Sequence, residues 1–302
     1  MNIKKPFFKL DLSVIKETKW LLIAGVVAAV FLLTAVLNLV VFPSKTMSSI
    51  LRPIVTGTHG LVNGTLIAYI FLFIVIVFGI IIFTGKLSSR DIGINWKSLP
   101  QALLVTCILC FAAQIIGLVF SLLFIGKLTL AAQWQSAGLT ASLGIIISQF
   151  FGCAPVEEIV FRGFLLPQLF IKFKSQRLQL HPLLRLLTAL IISQLIFALF
   201  HIPSLISKGV PLDTSMIELV KYFTLGILIS LIYLRTGNLF IGIGIHALFN
   251  LPASLFTANI TFAYISLNSF IYICLILILF LVWPRFMKSY PGRSITKVSS
   301  IM

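Results

Sequence analysis

Apolar residues fill whole stretches of this chain, and the polar ones collect in short segments between them. A helix that crosses the hydrocarbon core of a bilayer needs roughly 20 consecutive, mostly apolar residues. Stretches of that kind run over residues 20–42, 61–84, 99–126, 139–171, 186–206, 218–234, 239–256 and 262–283. They predict an all-α integral membrane protein with about eight transmembrane helices. The fourth stretch is too long for one straight crossing, and Pro155 inside it offers a natural break or kink. Read as two pieces, it changes the count by one. No internal repeat or low-complexity stretch interrupts the pattern. The chain therefore divides into a basic N-terminal tail (1–19), three N-terminal membrane helices (20–138), a core of membrane helices (139–256), and a last helix with a basic C-terminal tail (257–302).

Composition and charge add orientation to this pattern. The 302 residues are 59% hydrophobic and 10% charged, with a mean hydropathy of +1.12, whereas soluble domains carry about 25% charged residues. The net charge is +16, from 23 basic and 7 acidic residues. On a soluble domain such an excess would point to nucleic acid. Here the basic residues lie between apolar runs, where they anchor to anionic lipid and set topology, so the expected partner is the bilayer and not nucleic acid. Lys4, Lys5, Lys9, Lys16 and Lys19 precede a first run that is too long for a signal-peptide core and has no obvious cleavage site, so it reads as a retained span. Basic residues also gather in the 85–98 loop (Lys86, Arg90, Lys97), the 172–185 loop (Lys172, Lys174, Arg177, Arg185) and the C-terminal tail (Arg285, Lys288, Arg293, Lys297). Eight crossings put all of these on one side, the cytoplasm, together with both termini. Lys45, Arg52, Lys127 and Lys208 fall on the other side. Abundant Ile, Lys and Phe with little Ala suggests an AT-rich bacterial genome and a bacterial cell membrane. Cys107, Cys110, Cys153 and Cys274 all sit in apolar runs. The C-x-x-C pair has no second pair or nearby His to complete a metal site, and all four read as small hydrophobes.

Charged groups in hydrocarbon cost roughly 2.5–3.5 kcal/mol each on insertion scales, so those inside the spans are functional candidates. They are Glu157, Glu158, Arg162, His201 and His246, with Asn250 one turn beyond His246; His59 and His181 fall in loops and read as surface residues. Glu157 precedes Lys172 on its span, and His201 follows Arg185 on the next. At about 1.5 Å per helical residue, both lie some 22–24 Å along their helices from the basic side. His246 and Asn250 lie roughly 16 and 22 Å past Arg235 on the same count. Three segments distant in sequence thus deliver polar groups to a similar level. Glu158 and Arg162 are i,i+4 neighbours and can pair, whereas Glu157 is rotated about 100° from Glu158 and points elsewhere. Two chemistries suit this set. Glu157 or His201 acts as a general base on water while His246 and Asn250 stabilise an oxyanion; or His201, His246 and a glutamate, Glu157, hold Zn²⁺ with an open position for water. Taken singly, each polar residue is as well explained as interhelical glue, and the ion pair as purely structural. Their coincidence is harder to explain that way.

Glu157-Glu158-x-x-x-Arg162, Phe197-x-x-x-His201 and His246-x-x-x-Asn250, in this order on successive membrane segments, resemble the CPBP family. These are the CAAX protease and bacteriocin-processing membrane proteins, also called the Abi family of intramembrane proteases. The resemblance covers about residues 140–255. Asp91-Ile92-Gly93-Ile94 before a span looks like a further feature often seen there. The resemblance implies a membrane-embedded endopeptidase whose catalytic core is the 139–256 segment. It maps water activation to Glu157 and His201, the oxyanion to His246 and Asn250, and a supporting role to Glu158 and Arg162. It leaves open a zinc metalloprotease and a glutamate-dependent, metal-free enzyme. Prenylated CAAX proteins, bacteriocin leaders and signalling peptides are all compatible substrates. The alternative reading is a non-proteolytic membrane regulator or bacteriocin self-immunity protein that binds a partner through the same fold. A transporter using these residues as a proton relay is disfavoured by the lack of an internal repeat. The sequence has no H-E-x-x-H of zinc intramembrane proteases, no G-x-S-G of rhomboids and no G-x-G-D of presenilin-like enzymes.

Overall fold

The structure, a computed structural model, describes residues 15–126, 138–174, 181–251, 261–262 and 265–286. Most of both basic tails, together with Lys127 and Arg177, lies outside the described residues. The helices are α1 (Trp20–Val41), α2 (Lys45–Gly57), α3 (Gly64–Thr84), α4 (Leu99–Ile125), α5 (Gly138–Lys172), α6 (Pro182–Leu199), α7 (Ile202–Ser207), α8 (Leu212–Thr236), α9 (Leu239–Asn250) and α10 (Leu267–Phe286). A two-residue antiparallel ladder pairs Thr261 with Ser266 and Phe262 with Ile265. Six helical stretches are long and apolar enough to cross a bilayer, while Leu239–Asn250 and Ser269–Trp283 are shorter apolar helices. Each stretch expected to cross is helical over most of its described residues, and the protein is an all-α integral membrane protein. Among the described residues the crossings of full length number six, and the last two expected stretches hold the shorter apolar helices Leu239–Asn250 and Ser269–Trp283.

Local sequence explains where these helices begin and end. Asn63 and Asn238 accept hydrogen bonds from the backbone N–H groups of Leu66 and Phe240, satisfying donors that the first turns of α3 and α9 leave free. Gly237 closes α8 in the left-handed conformation (φ 66°), so α9 starts after a two-residue turn. Pro155 does not break α5. Its ring and missing N–H disturb the preceding turn of an ordinary helix, and here that turn, Gln149–Cys153, is a wider π turn through which the helix continues. A second π segment covers Ile159–Leu165. Residues 43–60, expected as a loop, contain α2. Its N-cap Ser44 accepts from the Met47 N–H, and Met47, Leu51 and Val55 form a half-buried stripe opposite the exposed Lys45, Ser49 and Arg52.

The middle of α5 is the centre of the bundle. Ile159, Val160, Phe161, Phe164, Leu165 and Leu166 belong to one buried cluster with side chains of α1, α3, α6 and α8. A second cluster joins α4, α8, α9 and α10. Because α8 contributes Tyr233 to the first cluster and Ile232 to the second, it is the partition between them. The 85–95 loop is wedged into this packing. Ile92 is fully buried, and its carbonyl lies where a side chain on Gly163 would begin; Gly93, at φ +80°, sits equally close to the Tyr233 hydroxyl.

Polar contacts bring the basic segments to one end of the bundle. The Lys16 N–H donates to Asp91 Oδ1 at 3.2 Å, and Lys16 Nζ donates to the Lys86 carbonyl at 2.9 Å. Lys172 pairs with Glu17 at 2.6 Å, and Gln168 accepts from the Thr18 N–H at 2.9 Å. Asn238 Nδ2 reaches the Ser98 carbonyl at 2.9 Å. The N-terminal segment, the 85–98 loop, the end of α5 and the α8–α9 turn thus form one face, called the basic end below. Gly163→Ala places a methyl group against the Ile92 backbone, which cannot rotate away. Overpacking of this kind costs about 1–3 kcal/mol, so the purified variant in detergent is expected to unfold at lower temperature than the parent. An unchanged transition would show that the loop is not held by this contact.

Candidate active site

Five helices bring polar side chains into the bundle at one level. α5 supplies Glu157, Glu158 and Arg162; His201 lies just past the end of α6; α9 supplies His246 and Asn250; α3 supplies Tyr69; α8 supplies Tyr222 and Ser230. Glu157 is 2% exposed, His246 2%, and Glu158 and Arg162 are fully buried.

The innermost layer is an ion cluster. Glu158 Oε1 accepts from Arg162 Nη1 at 2.9 Å and from His246 Nδ1 at 2.7 Å. The guanidinium also donates from Nε to Ser230 Oγ (3.3 Å) and lies 4.2 Å over the Phe197 ring. Space for these groups comes from two glycines. A side chain at Gly226 would begin 3.2 Å from Arg162 Nη2, and one at Gly242 would begin 3.2 Å from Glu158 Oε2. The predicted pairing of Glu158 with Arg162 is therefore present, and Glu157 turns to other partners, while His246 reaches both carboxylates. His246 sits between them, with Nδ1 on Glu158 and Nε2 facing Glu157 Oε2 at 3.6 Å. The angular offset along α5 was readable in the sequence, whereas the approach of α9 to both carboxylates was not.

The layer above is built on Glu157. Its Oε1 accepts from the Tyr69 hydroxyl at 2.6 Å and from the Cys153 thiol at 3.3 Å. Its Oε2 is buried without a hydrogen-bond partner among the described residues, and it faces His246 Nε2 at 3.6 Å and His201 Nε2 at 3.9 Å. The tautomers follow from the other ring nitrogens. His201 Nδ1 contacts the Phe197 carbonyl at 2.9 Å, an acceptor with no proton, so Nδ1 must donate. The carboxylate of Glu158 imposes the same role on His246 Nδ1. One carboxylate oxygen and two imidazole Nε2 atoms consequently converge on one point. Tyr222 stacks on the His201 ring, with centroids 3.9 Å apart and planes 17° from parallel, and fixes its orientation from the far face.

Asn250 joins this group less directly than its spacing from His246 suggests. It is exposed, and its amide donates to Gln149 Oε1 at 3.0 Å and lies 3.7 Å from the Cys153 sulfur. Cys153 thus links Asn250 to Glu157, a place that the reading of all four cysteines as small hydrophobes missed. Cys107, Cys110 and Cys274 have no comparable polar setting. His59 and His181 are exposed, as expected, His181 serving as the N-cap of α6. Tyr69, Gln149 and Tyr222 carried no motif. A signal for Gln149 and Cys153 was nevertheless present, since Gln149, Cys153 and Glu157 recur at intervals of four along α5.

The zinc reading requires His201, His246 and Glu157 to meet at a metal. Ligand atoms of a tetrahedral zinc, each about 2.0–2.1 Å from the ion, lie about 3.4 Å from one another. The distances from Glu157 Oε2 to the two Nε2 atoms, 3.6 and 3.9 Å, are both wider than that. No group of three or more His, Cys, Asp and Glu side chains is placed to hold a metal among the described residues. The residues as they stand do not fit the ion.

The two glutamates have unequal structural duties. Glu158→Gln leaves the buried Arg162 without its counter-charge, a loss that typically costs about 3–5 kcal/mol. Glu157→Gln retains an oxygen for Tyr69 and removes no ion pair shorter than 3.6 Å. Thermal unfolding in detergent should show a large loss for the first variant and a small one for the second; equal losses would mean that both carboxylates serve only the packing.

Comparison with curated proteins gives no match, and comparison with solved structures gives none either. A family model does match, that of the Rce1-like proteins, described as type II CAAX prenyl endopeptidase Rce1-like, over residues 138–252. This segment spans α5 to α9 and contains every residue of the three motifs. Over this segment the chain is similar to the Rce1-like type II CAAX prenyl endopeptidases, in agreement with the resemblance of its three motifs to the CPBP family.

Proposed function

We propose that the protein hydrolyses a peptide bond in a membrane-associated peptide or protein, with Glu157 and His201 activating water and His246 and Asn250 stabilising the oxyanion. The observation that carries this reading is the convergence of Glu157 Oε2 with the Nε2 atoms of His201 and His246, while Glu157 Oε1 is held by Tyr69 and Cys153. A water at that point has one carboxylate oxygen and the His201 nitrogen as proton acceptors. Its proton passes to one of them as the water oxygen bonds to the scissile carbon, and the amine leaving group takes that proton when the C–N bond breaks. His246 lies between the two carboxylates, with Nδ1 on Glu158 and Nε2 facing Glu157. When it also carries a proton on Nε2, it offers that N–H to the developing oxyanion. Asn250 Nδ2 gives one N–H to Gln149 and has the other against the weakly accepting Cys153 sulfur, free to turn to the same oxygen. Glu158 and Arg162 support His246. The reaction needs no metal in this scheme.

The same reading places both termini and the basic segments in the cytoplasm, supported by the joining of Lys16, Lys86 and Lys172 at one end of the bundle.

Purified protein in liposomes, incubated with a library of tagged membrane peptides and read by mass spectrometry, tests the assignment. Glu157→Ala and His201→Ala should each reduce cleavage by about 10²–10⁴-fold, and Asn250→Ala by about 10²–10³-fold. Cleavage that persists in the first two variants sinks the proposal. Tyr69→Phe removes one hydrogen bond to a charged group, worth about 1.5–3 kcal/mol. It should slow turnover about tenfold or more with little change in unfolding temperature; unchanged turnover would assign Tyr69 to packing alone.

A further inference from the structure

We propose that α2 is an interfacial helix that lies in the headgroup layer of the bilayer and binds anionic phospholipid, with Ile50 and Ile54 among the upper acyl chains and Lys45 and Arg52 on the phosphates. This surface lies outside the candidate active site. Its role is independent of the peptidase reading and of which side of the membrane α2 occupies.

The 13 residues of α2 extend about 20 Å, too short for a hydrocarbon core about 30 Å thick. Contacts before it, along it and after it hold it at the rim of the bundle. The Phe42 ring, just ahead of α2, lies 3.8 Å from where a side chain on Gly64 would begin, and Leu51 in its middle lies 3.9 Å from the same point. Gly64 is the first residue of α3. Past the other end, a side chain on Gly60 would begin 2.9 Å from Ala141 Cβ, in the first turn of α5. A helix pinned in this way to the starts of two membrane helices lies across the end of the bundle, at the depth where those helices begin.

The faces of α2 fit that depth. Successive residues turn by about 100°, which sets Met47, Leu51 and Val55 in the half-buried stripe, with Leu51 against the start of α3. The apolar arc runs on past this stripe to Ile54 and Ile50, which remain 46% and 58% exposed. Lys45 and Arg52, both exposed, project within about 20° of each other and roughly opposite the two isoleucines, beside the exposed Ser49 and Thr56. An apolar flank backed by a cationic one is the arrangement of a helix lying in the interfacial plane, its apolar side sunk into the acyl boundary and its basic side among headgroups. Residues 42–63 contain no Asp or Glu, and α1 separates Lys45 and Arg52 from the basic end. The complementary charge therefore comes from the lipid, and an anionic headgroup supplies it.

The test uses the full chain in liposomes, labelled with an environment-sensitive fluorophore at one introduced cysteine. The background carries Cys107→Ala, Cys110→Ala and Cys274→Ala and keeps the buried Cys153; the same background without an introduced cysteine is the blank. Ile50→Cys and Ile54→Cys report the apolar flank, either serving if the other does not fold, and Ser49→Cys reports the basic side. Phosphatidylcholine and phosphatidylglycerol, each with a nitroxide near the top of an acyl chain, are added in turn as trace quenchers, and iodide is supplied on both faces as the aqueous one. Labels on the apolar flank should be quenched by the nitroxide lipids and little by iodide, and the label on the basic side the reverse. Nitroxide phosphatidylglycerol should quench the flank more strongly than nitroxide phosphatidylcholine, and Lys45→Gln combined with Arg52→Gln should abolish the difference. Iodide quenching of the flank overturns the contact with the membrane. Protection of the flank from both quenchers overturns it too, since protein, from this chain or a second copy, then covers the isoleucines. Equal quenching by the two lipids overturns the binding of anionic phospholipid.

Discussion

Burying the Arg162 guanidinium and the Glu158 carboxylate in an apolar bundle is the constraint that organises this protein. Neither charge is tolerable there alone. Together they are tolerable only if their remaining bonding capacity is met and neighbouring helices leave room. Ser230 and the Phe197 ring meet part of that capacity and the gaps at Gly226 and Gly242 leave the room, drawing α5, α6, α8 and α9 together, while Glu158 Oε2 and Arg162 Nη2 have no hydrogen-bond partner among the described residues. His246 completes the pairing of Glu158, and its ring is thereby oriented with Nε2 toward Glu157. The orientation of the reactive layer is thus a by-product of neutralising the layer beneath it.

The same constraint explains the course of α5. Its most apolar window has a mean hydropathy of 1.6, against 3.3 for α3. A helix so loaded with polar groups is covered by its neighbours, which come close to it at Gly152 and Gly163 beside its π turns. Irregular backbone within a membrane is sustainable where protein surrounds it, and residues 159–165 are buried throughout.

Much of this was legible from residues alone. The positions of the helices followed from apolar run length, and the pairing of Glu158 with Arg162 followed from a spacing of four. What sequence spacing could not supply was the lateral contact between helices. Nothing local to His246 says that its two nitrogens divide between Glu157 and Glu158, and nothing local to Tyr69 says that it reaches α5. Asn250 shares a face with His246, and its contact with Gln149 on α5 is likewise one that spacing along α9 does not show. Among the described residues α9 ends at the site, and a hydropathy profile does not register where a helix stops if apolar residues continue beyond it.

Tyr69 lies outside the segment that matches the family model, yet it holds one of the two oxygens of Glu157. The junction that brings it there is narrow. Gly152 and Gly144 on α5 accept the Tyr69 Cβ and the Gly60 carbonyl, respectively, in spaces too small for a methyl group to enter freely. The three motifs are then only part of what the arrangement requires, because the ancillary helices must supply a contact surface and one hydroxyl. Grafting residues 138–252 onto unrelated helices would transfer the acids and imidazoles but not the means of aiming them.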